Sequence, residues 1–112
     1  MKKIEAIIRP EKLETVSKAL EEMGIIGMTV TDVKGRGRQK GITLQWRAGD
    51  YRIDFIPKIK FDIVLEDSKV KKAIETICSV AKTNNVGDGK IFVYPIEDVI
   101  RVRTGESGKT AV

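Results

Sequence analysis

Histidine is absent from this chain, and cysteine occurs once, as Cys78. One chain therefore cannot form an internal disulfide, a mixed thiolate–imidazole metal site or a histidine-based catalytic triad. No apolar run approaches the roughly 20 residues that span a bilayer, and the N-terminus lacks the apolar core of a signal peptide. No paired-carboxylate pattern stands out either. We therefore expect a cytoplasmic protein, and a binding protein in preference to an enzyme.

The composition of the chain is that of a folded domain. The 112 residues are enough for one hydrophobic core but too few for two domains. A hydrophobic content of 41% with 33% charged residues fits a soluble globular protein and argues against disorder.

Positive charge is concentrated in one segment. Residues 34–60 hold eight lysines and arginines against two aspartates, a net +6, whereas the whole chain is +5. Within it, Lys34–Gly41 alternates basic residues with glycines. Glycine lets backbone N–H groups approach an anion closely, and the cations supply the countercharge. The segment therefore predicts anion binding.

The rest of the chain repeats one plan, strand–helix–strand, on either side of that segment. The predicted strands are Ile4–Arg9, Gly27–Val33, Phe61–Leu65 and Lys90–Tyr94. The first helix begins near Pro10, carries a stripe of Leu13, Val16, Leu20 and Met23, and stops at Gly24. The second is expected to be capped by Asp67 or Ser68, and its stripe is Val70, Ile74, Ile77 and Ala81.

This order predicts an α+β, ferredoxin-like βαββαβ fold, in which a four-stranded antiparallel sheet carries both helices on one face. The strands are nevertheless apolar on both faces, since Ile7, Val64, Phe92 and Tyr94 alternate with the predicted core residues. A sheet with one solvated face alternates more cleanly. We infer that another subunit covers the second face.

The connection over residues 36–57 is long for a compact domain, and such loops are usually functional or disordered. Its apolar residues support a loose hairpin: Leu44, Trp46, Tyr51, Ile53, Phe55 and Ile56. Trp46 fits either a surface for a partner or a contact with its own domain, and the sequence leaves both open.

Two further clusters suit phosphate groups. Thr83–Lys90 places Gly87 and Gly89 before a lysine, which favours either a phosphate-binding loop or an ordinary tight turn. Arg101 and Arg103 alternate, so that an extended backbone would put both on one side. They fit a grip on a polyphosphate or a solvated edge strand. Asp88, like Asp54, is of a type that commonly orients turns.

An RNA-binding module is a distant alternative, because the RNA-recognition motif shares this strand order. Phe92 and Tyr94 lie on one face of a strand, as stacking aromatics would. The aromatic spacing of that motif is missing, however, and the positive charge lies on the loop and not across the sheet.

Together these motifs resemble the PII nitrogen-regulatory signal-transduction proteins of the GlnK/GlnB kind over essentially the whole chain. The resemblance rests on Met1–Ile4, Gly27–Thr31, Val33–Gly41, Asp54–Lys58, Gly87–Val93 and Ile100–Gly105. It implies a single domain over residues 1–112 that forms a homotrimer. In that domain residues 36–57 are a long mobile regulatory loop, 82–90 a phosphate loop and 97–112 a C-terminal segment.

The resemblance also implies ligands and the residues that hold them. ATP or ADP would bind between subunits to Thr29, Gly37, Arg38, Gln39, Val64, Gly87, Asp88, Gly89, Lys90, Arg101 and Arg103. Mg²⁺ would be ligated with the help of Gln39, and 2-oxoglutarate would bind Gln39, Lys40, Gly41 and Lys58.

The implied function is regulation of nitrogen metabolism without catalysis, by sensing these ligands. The long loop would close an ammonium transporter of the Amt family, with Arg47 entering the pore, so the protein would reach the inner face of the membrane reversibly. The alternative target is a soluble enzyme, glutamine synthetase or nitrogenase. Tyr51 matches a tyrosine that bacterial relatives uridylylate, but its context, Trp46–Tyr51, departs from theirs and argues against modification.

Overall fold

The computed structural model describes residues 1–37, 42–46 and 49–112. The strands are β1 Lys2–Ile8, β2 Thr29–Gly35, β3 Ile42–Trp46, β4 Gly49–Ile53, β5 Ile56–Leu65 and β6 Gly89–Pro95. The α-helices are α1 Leu13–Glu22 and α2 Asp67–Ala81, and short 3₁₀ turns span Pro10–Lys12 and Gly108–Ala111.

Four strands form one antiparallel sheet in the order β2-β5-β1-β6. The register sets Ile4 of β1 opposite Ile63 of β5 on one side and Val93 of β6 on the other. The strands of the first half, β1 and β2, alternate with those of the second half, β5 and β6, so the two βαβ halves interlock in a single sheet. The predicted ferredoxin-like α+β fold is confirmed.

The hydrophobic core lies between this sheet and the two helices. Ile4 and Ala6 from β1, with Phe61 from β5, are completely buried against Leu20 of α1 and Ala73 of α2. Their alternation along the strands and their helical spacing place them all on facing surfaces. Burying a side chain as large as Phe61 contributes about 1.5–3 kcal/mol.

The end of α1 is set by a glycine, as predicted. Gly24 has a φ of +87°, and its N–H donates to the Glu21 carbonyl at 2.9 Å. The next N–H, of Ile25, donates back to the Leu20 carbonyl at 2.9 Å. These two bonds form a Schellman motif, and the buried Ile25 and Leu20 side chains supply its apolar contact.

The predicted cap of α2 is wrong. Glu66 occupies the cap position with an extended backbone and no side-chain cap bond. Asp67 is already in the first turn, and its carboxylate lies 3.0 Å from the amino terminus of Met1. That ion pair lowers the pKa of Asp67. The carboxylate thus ties the chain's start to α2.

The hairpin within the long segment is confirmed in its backbone, since β3 pairs with β4 and Leu44 lies opposite Tyr51. The fifth strand begins at Ile56, five residues before the prediction, and pairs with β2 as far as Gly35. The sequence around Pro57 and Lys58 resembles a loop, but here it continues a central strand.

The second face of the sheet carries both apolar and charged groups. Phe92 and Tyr94 are 44% and 41% exposed. Beside them Lys3 lies 3.4 Å from Asp62 and 5.0 Å from the centre of the Tyr94 ring. This face is therefore less uniformly apolar than the strand pattern suggests. Its cover by another subunit remains a prediction. Across the described ranges, neither helix is long and apolar enough to cross a membrane.

Candidate functional site

A groove of about 470 Å³ lies where the long segment leaves and re-enters the sheet. Its walls are the end of β2, the start of β5 and the loop before β6. The lining residues are Ile7, Gly35, Arg36, Gly37, Lys58, Asn85, Val86, Gly87, Asp88, Gly89, Lys90 and Phe92. The fold thus brings together six of the predicted site residues: Gly37, Lys58, Gly87, Asp88, Gly89 and Lys90.

The loop between α2 and β6 depends on residues that accept a left-handed backbone. Asn84 has a φ of +67°, Gly87 of +101° and Gly89 of +116°. Asparagine tolerates such values better than most residues. Gly89 is restricted further, because a Cβ there would lie 1.9 Å from the carbonyl oxygen of Ile7. The glycine is what allows β6 to start so close to β1.

Asp88 holds this loop in shape. Its carboxylate accepts hydrogen bonds from the backbone N–H of Thr83 at 2.7 Å and of Asn84 at 2.9 Å, and from the Thr83 hydroxyl. Arg9 donates from Nε at 3.0 Å. The bond from the Thr83 hydroxyl, with the backbone and guanidinium donors, holds the pKa of Asp88 far below its usual range. The expectation that Asp88 orients a turn is confirmed.

Lys58 is the buried cation of the groove. Only 9% of it is exposed, and its Nζ donates to the Gly87 carbonyl at 2.6 Å. Burial, followed by repulsion from Arg9, lowers its pKa. A partly desolvated ammonium beside a glycine-rich loop is suited to an anion, because the interaction is less screened there than in open water.

Four predicted nucleotide-binding residues lie outside the groove of a single chain. Thr29 pairs across the sheet with Asp62, and Val64 with Lys3, further along the strands. Arg101 and Arg103 lie in the C-terminal segment. None of these four lines the groove. The resemblance puts the site between subunits, so their roles remain predictions for an assembled protein.

The extended backbone expected at Arg101 and Arg103 is wrong. The chain turns there, with the Gly105 N–H donating to the Arg101 carbonyl at 2.8 Å. The Arg101 guanidinium donates to the Thr110 carbonyl at 3.2 Å and lies 3.9 Å from Glu106. Neither the edge-strand interpretation nor the alternation argument therefore applies.

The remaining predicted residues lie outside the described part of the chain. These are Arg38, Gln39, Lys40, Gly41 and Arg47. The same holds for the side chains of Trp46 and Tyr51, whose backbones belong to the hairpin.

Arg9 is the residue that sequence reasoning missed. Besides its bond to Asp88, its Nη2 donates to the Val86 carbonyl at 2.9 Å. These contacts connect positions 77 and 79 residues apart. No local pattern signals such a pair. Its place at the end of a strand, directly before Pro10, is the only hint that the side chain is fixed near the sheet edge.

The fold and the groove define a small ferredoxin-like domain whose cations lie where a long loop leaves the sheet. Known proteins of similar sequence identify its family. A sequence model of Nitrogen regulatory protein P-II matches residues 1–106. Nitrogen regulatory protein P-II of Azospirillum brasilense is 57% identical over 112 residues, with both chains fully covered. The P-II 2 protein of Methanothermobacter thermautotrophicus is 59% identical, covering all of this chain and 97% of that protein. The protein of Rhodospirillum rubrum is 56% identical, again with both chains fully covered.

This chain belongs to the PII family of nitrogen regulatory proteins. It is accordingly a signal-transduction regulator of nitrogen metabolism and not an enzyme, and it acts through partner proteins.

Proposed function

We propose that this regulator senses ATP or ADP together with 2-oxoglutarate, and that the ligands control an ammonium transporter of the Amt family through the loop over residues 36–57. The observation that carries the proposal is the groove itself. It is lined by Lys58, which is buried, and by Lys90, Gly87 and Gly89, and it lies where that loop leaves the sheet.

The residues of the groove fit a polyphosphate. Gly87 and Gly89 keep side-chain bulk away from the loop, and Lys58 and Lys90 bring positive charge to one space. Phosphates favour such combinations of close backbone N–H groups and cations. Gly87, Asp88, Gly89 and Lys90 would hold the phosphates, and Lys58 would meet a carboxylate of 2-oxoglutarate.

A triphosphate and a dicarboxylate repel each other, so joining them requires positive charge between them. Mg²⁺ would supply that charge when bound, with oxygen ligands that include the Gln39 side chain. In the sequence, Gln39, Lys40 and Gly41 follow within four residues of Gly37, which lines the groove.

The position of the groove supports a switch. Gly35, Arg36 and Gly37 belong to the groove wall and also start the long segment. A ligand that binds one loop conformation better than another shifts the population toward it, by no more than that difference in affinity. ADP would favour the loop form that closes the transporter, and MgATP with 2-oxoglutarate would release it.

The open sheet face supports a homotrimer. Phe92 and Tyr94 remain over 40% exposed on a face that no helix of the described chain covers. A second and third copy would bury them and would bring Thr29, Val64, Arg101 and Arg103 toward a neighbour's groove. Sedimentation equilibrium at micromolar concentration should then give three times the mass of one chain, and a stable monomer would refute this part.

The test of sensing is a calorimetric titration of 2-oxoglutarate with and without MgATP. We expect binding only when MgATP is present, because the two ligands share a metal. Equal binding in both cases would refute the metal-bridged site. Tight binding of single-stranded RNA with no binding of ATP would instead support the RNA-binding alternative.

The target is tested by capture of Amt transporter in membranes with ADP or with MgATP and 2-oxoglutarate. Capture only with ADP is expected, at the cytoplasmic side of the membrane. Capture of glutamine synthetase or nitrogenase under the same switch, with no transporter, would favour the soluble-enzyme alternative.

A further inference from the structure

Arg9 joins the end of β1 to the loop before β6 through two acceptors at once. Its Nε donates to the Asp88 carboxylate at 3.0 Å and its Nη2 to the Val86 carbonyl at 2.9 Å. Only 22% of the Arg9 side chain is exposed. Its backbone is extended and Pro10 follows, which limits the freedom of the strand end. The two acceptors and the restricted strand end therefore hold the Arg9 guanidinium in one position.

The first consequence is geometric. Arg9 holds the Val86 carbonyl, and Lys58 holds the next one, of Gly87. Because a peptide unit is planar and its N–H points opposite to its C=O, holding both carbonyls fixes the directions of the N–H groups of Gly87 and Asp88. A loop rich in left-handed glycines would otherwise be free to flip these units.

The second consequence is electrostatic. The candidate phosphate loop contains a carboxylate, Asp88, which by itself would repel an anion in the groove. Arg9 offsets that charge by direct contact, while the N–H groups of Thr83 and Asn84 occupy the carboxylate from the other side. The loop can then keep its organising aspartate without a net negative charge toward a ligand.

From these contacts we infer that Arg9 is a positioning residue of the anion site. It acts through Asp88 and the Val86 carbonyl, keeping the loop over residues 83–89 in a form that accepts phosphate groups. This rests on the proposed nucleotide binding. It goes further in assigning a role to a side chain outside the glycine loop and the long segment.

The experiment measures the affinities of ATP, ADP and adenosine by calorimetry for the wild-type protein, Arg9→Met and the control Lys18→Met. Lys18 is exposed on α1, so its substitution removes the same charge at a site away from the groove. Arg9→Met should weaken ATP and ADP by about tenfold, as expected for losing charge-assisted hydrogen bonds. Adenosine, which has no phosphate, should bind Arg9→Met as tightly as the wild-type protein. Lys18→Met should leave all three affinities unchanged.

A second readout follows the amide signals of Thr83 and Asn84 in ¹H–¹⁵N spectra. Their N–H groups donate to Asp88, so Arg9→Met should shift both, whereas Lys18→Met should shift neither. If Arg9→Met does not fold, Arg9→Lys replaces it. That variant keeps the charge but lacks the fork that reaches two acceptors, and it too should weaken ATP and not adenosine.

The outcomes distinguish the proposed nucleotide binding from the positioning role of Arg9. A wild-type protein that binds neither nucleotide refutes the proposed function and this inference with it. Wild-type nucleotide binding with unchanged ATP affinity in the Arg9 variant refutes the inference alone. Equal weakening of ATP and adenosine also refutes it, since that would show a general structural role.

Discussion

Replacing Gly89 by alanine should be among the most damaging single-methyl changes in this protein. The new Cβ would lie 1.9 Å from the carbonyl oxygen of Ile7, 2.9 Å from the carbon of that carbonyl and 3.1 Å from the Ile8 Cα. All three are backbone atoms of β1, which is paired on both sides in the sheet. They cannot move aside as the end of a flexible side chain would.

The expected loss in the free energy of unfolding has two sources. A φ of +116° at Gly89 is strained for any residue with a Cβ, at a cost of about 1–3 kcal/mol. Relieving the clash would separate β6 from β1 where Gly89 pairs with Ile8, and each backbone hydrogen bond lost there costs about 1 kcal/mol. We expect a loss of about 3–5 kcal/mol in the free energy of unfolding, a large part of the ~5–15 kcal/mol typical of a domain.

The assay is urea unfolding followed by far-ultraviolet circular dichroism, at one fixed protein concentration because self-association adds to apparent stability. Two glycines serve as matched controls. Gly105 has a φ of +73° but open space around its Cβ position, so Gly105→Ala isolates the backbone term, about 1 kcal/mol. Gly27 has open space and no positive φ, so Gly27→Ala should stay within about 0.5 kcal/mol of wild type.

A Gly89→Ala protein no less stable than Gly105→Ala would show that the contact with Ile7 is unimportant. If it matched Gly27→Ala, the backbone argument would be wrong as well.

Two further predictions concern the groove. The pKa of Asp88 is depressed in the fold, so its carboxylate stabilises the protein above the unfolded value of about 3.9 and loses that contribution as the pH falls through and below it. Asp88→Asn should therefore be less stable at pH 7 and show a flatter loss of stability between about pH 5 and pH 2 in urea unfolding; an unchanged slope would contradict this. Lys58→Met should change stability by no more than about 1 kcal/mol, because the lost bond to Gly87 is offset by the removal of a buried charge. The same variant should lose 2-oxoglutarate binding in the presence of MgATP, and calorimetric binding at wild-type affinity would rule out Lys58 as the carboxylate partner.

The elements that sequence patterns located well are those whose signals are local. The spacing of Val16 and Leu20 marked the buried face of α1, and Gly24 marked its end, because both depend on residues within a turn or two. The order of strands and helices then limited the fold to a few arrangements. At the start of β5 and the cap of α2, where the pattern failed, a distant partner decided, whereas at Arg101 a local turn replaced the expected extended backbone. Pairing with β2 keeps Pro57 and Lys58 in a strand, and the amino terminus of Met1 takes the Asp67 carboxylate.

The candidate site was foreseen in its residue types but not in its internal contacts. Glycines next to lysines predict an anion site because exposed backbone N–H groups and positive charge can be inferred from residue type alone. That the Asp88 carboxylate accepts hydrogen bonds within its own loop and from β1 depends on Thr83, Asn84 and Arg9, and only Arg9 is far away in the chain.

The sequence by itself determined the element order, the end of α1 set by Gly24, the concentration of charge in residues 34–60 and the family to which the chain belongs. Those properties depend on the spacing and type of residues that are close together in the sequence. The tertiary structure alone decided that Lys58 meets Gly87, that Arg9 meets Asp88, and that Gly89 must remain without a side chain beside Ile7. Each of these contacts follows from the register of the sheet. Antiparallel pairing sets β5, β1 and β6 side by side and so brings Ile7 and Gly89, which are 82 positions apart, into contact.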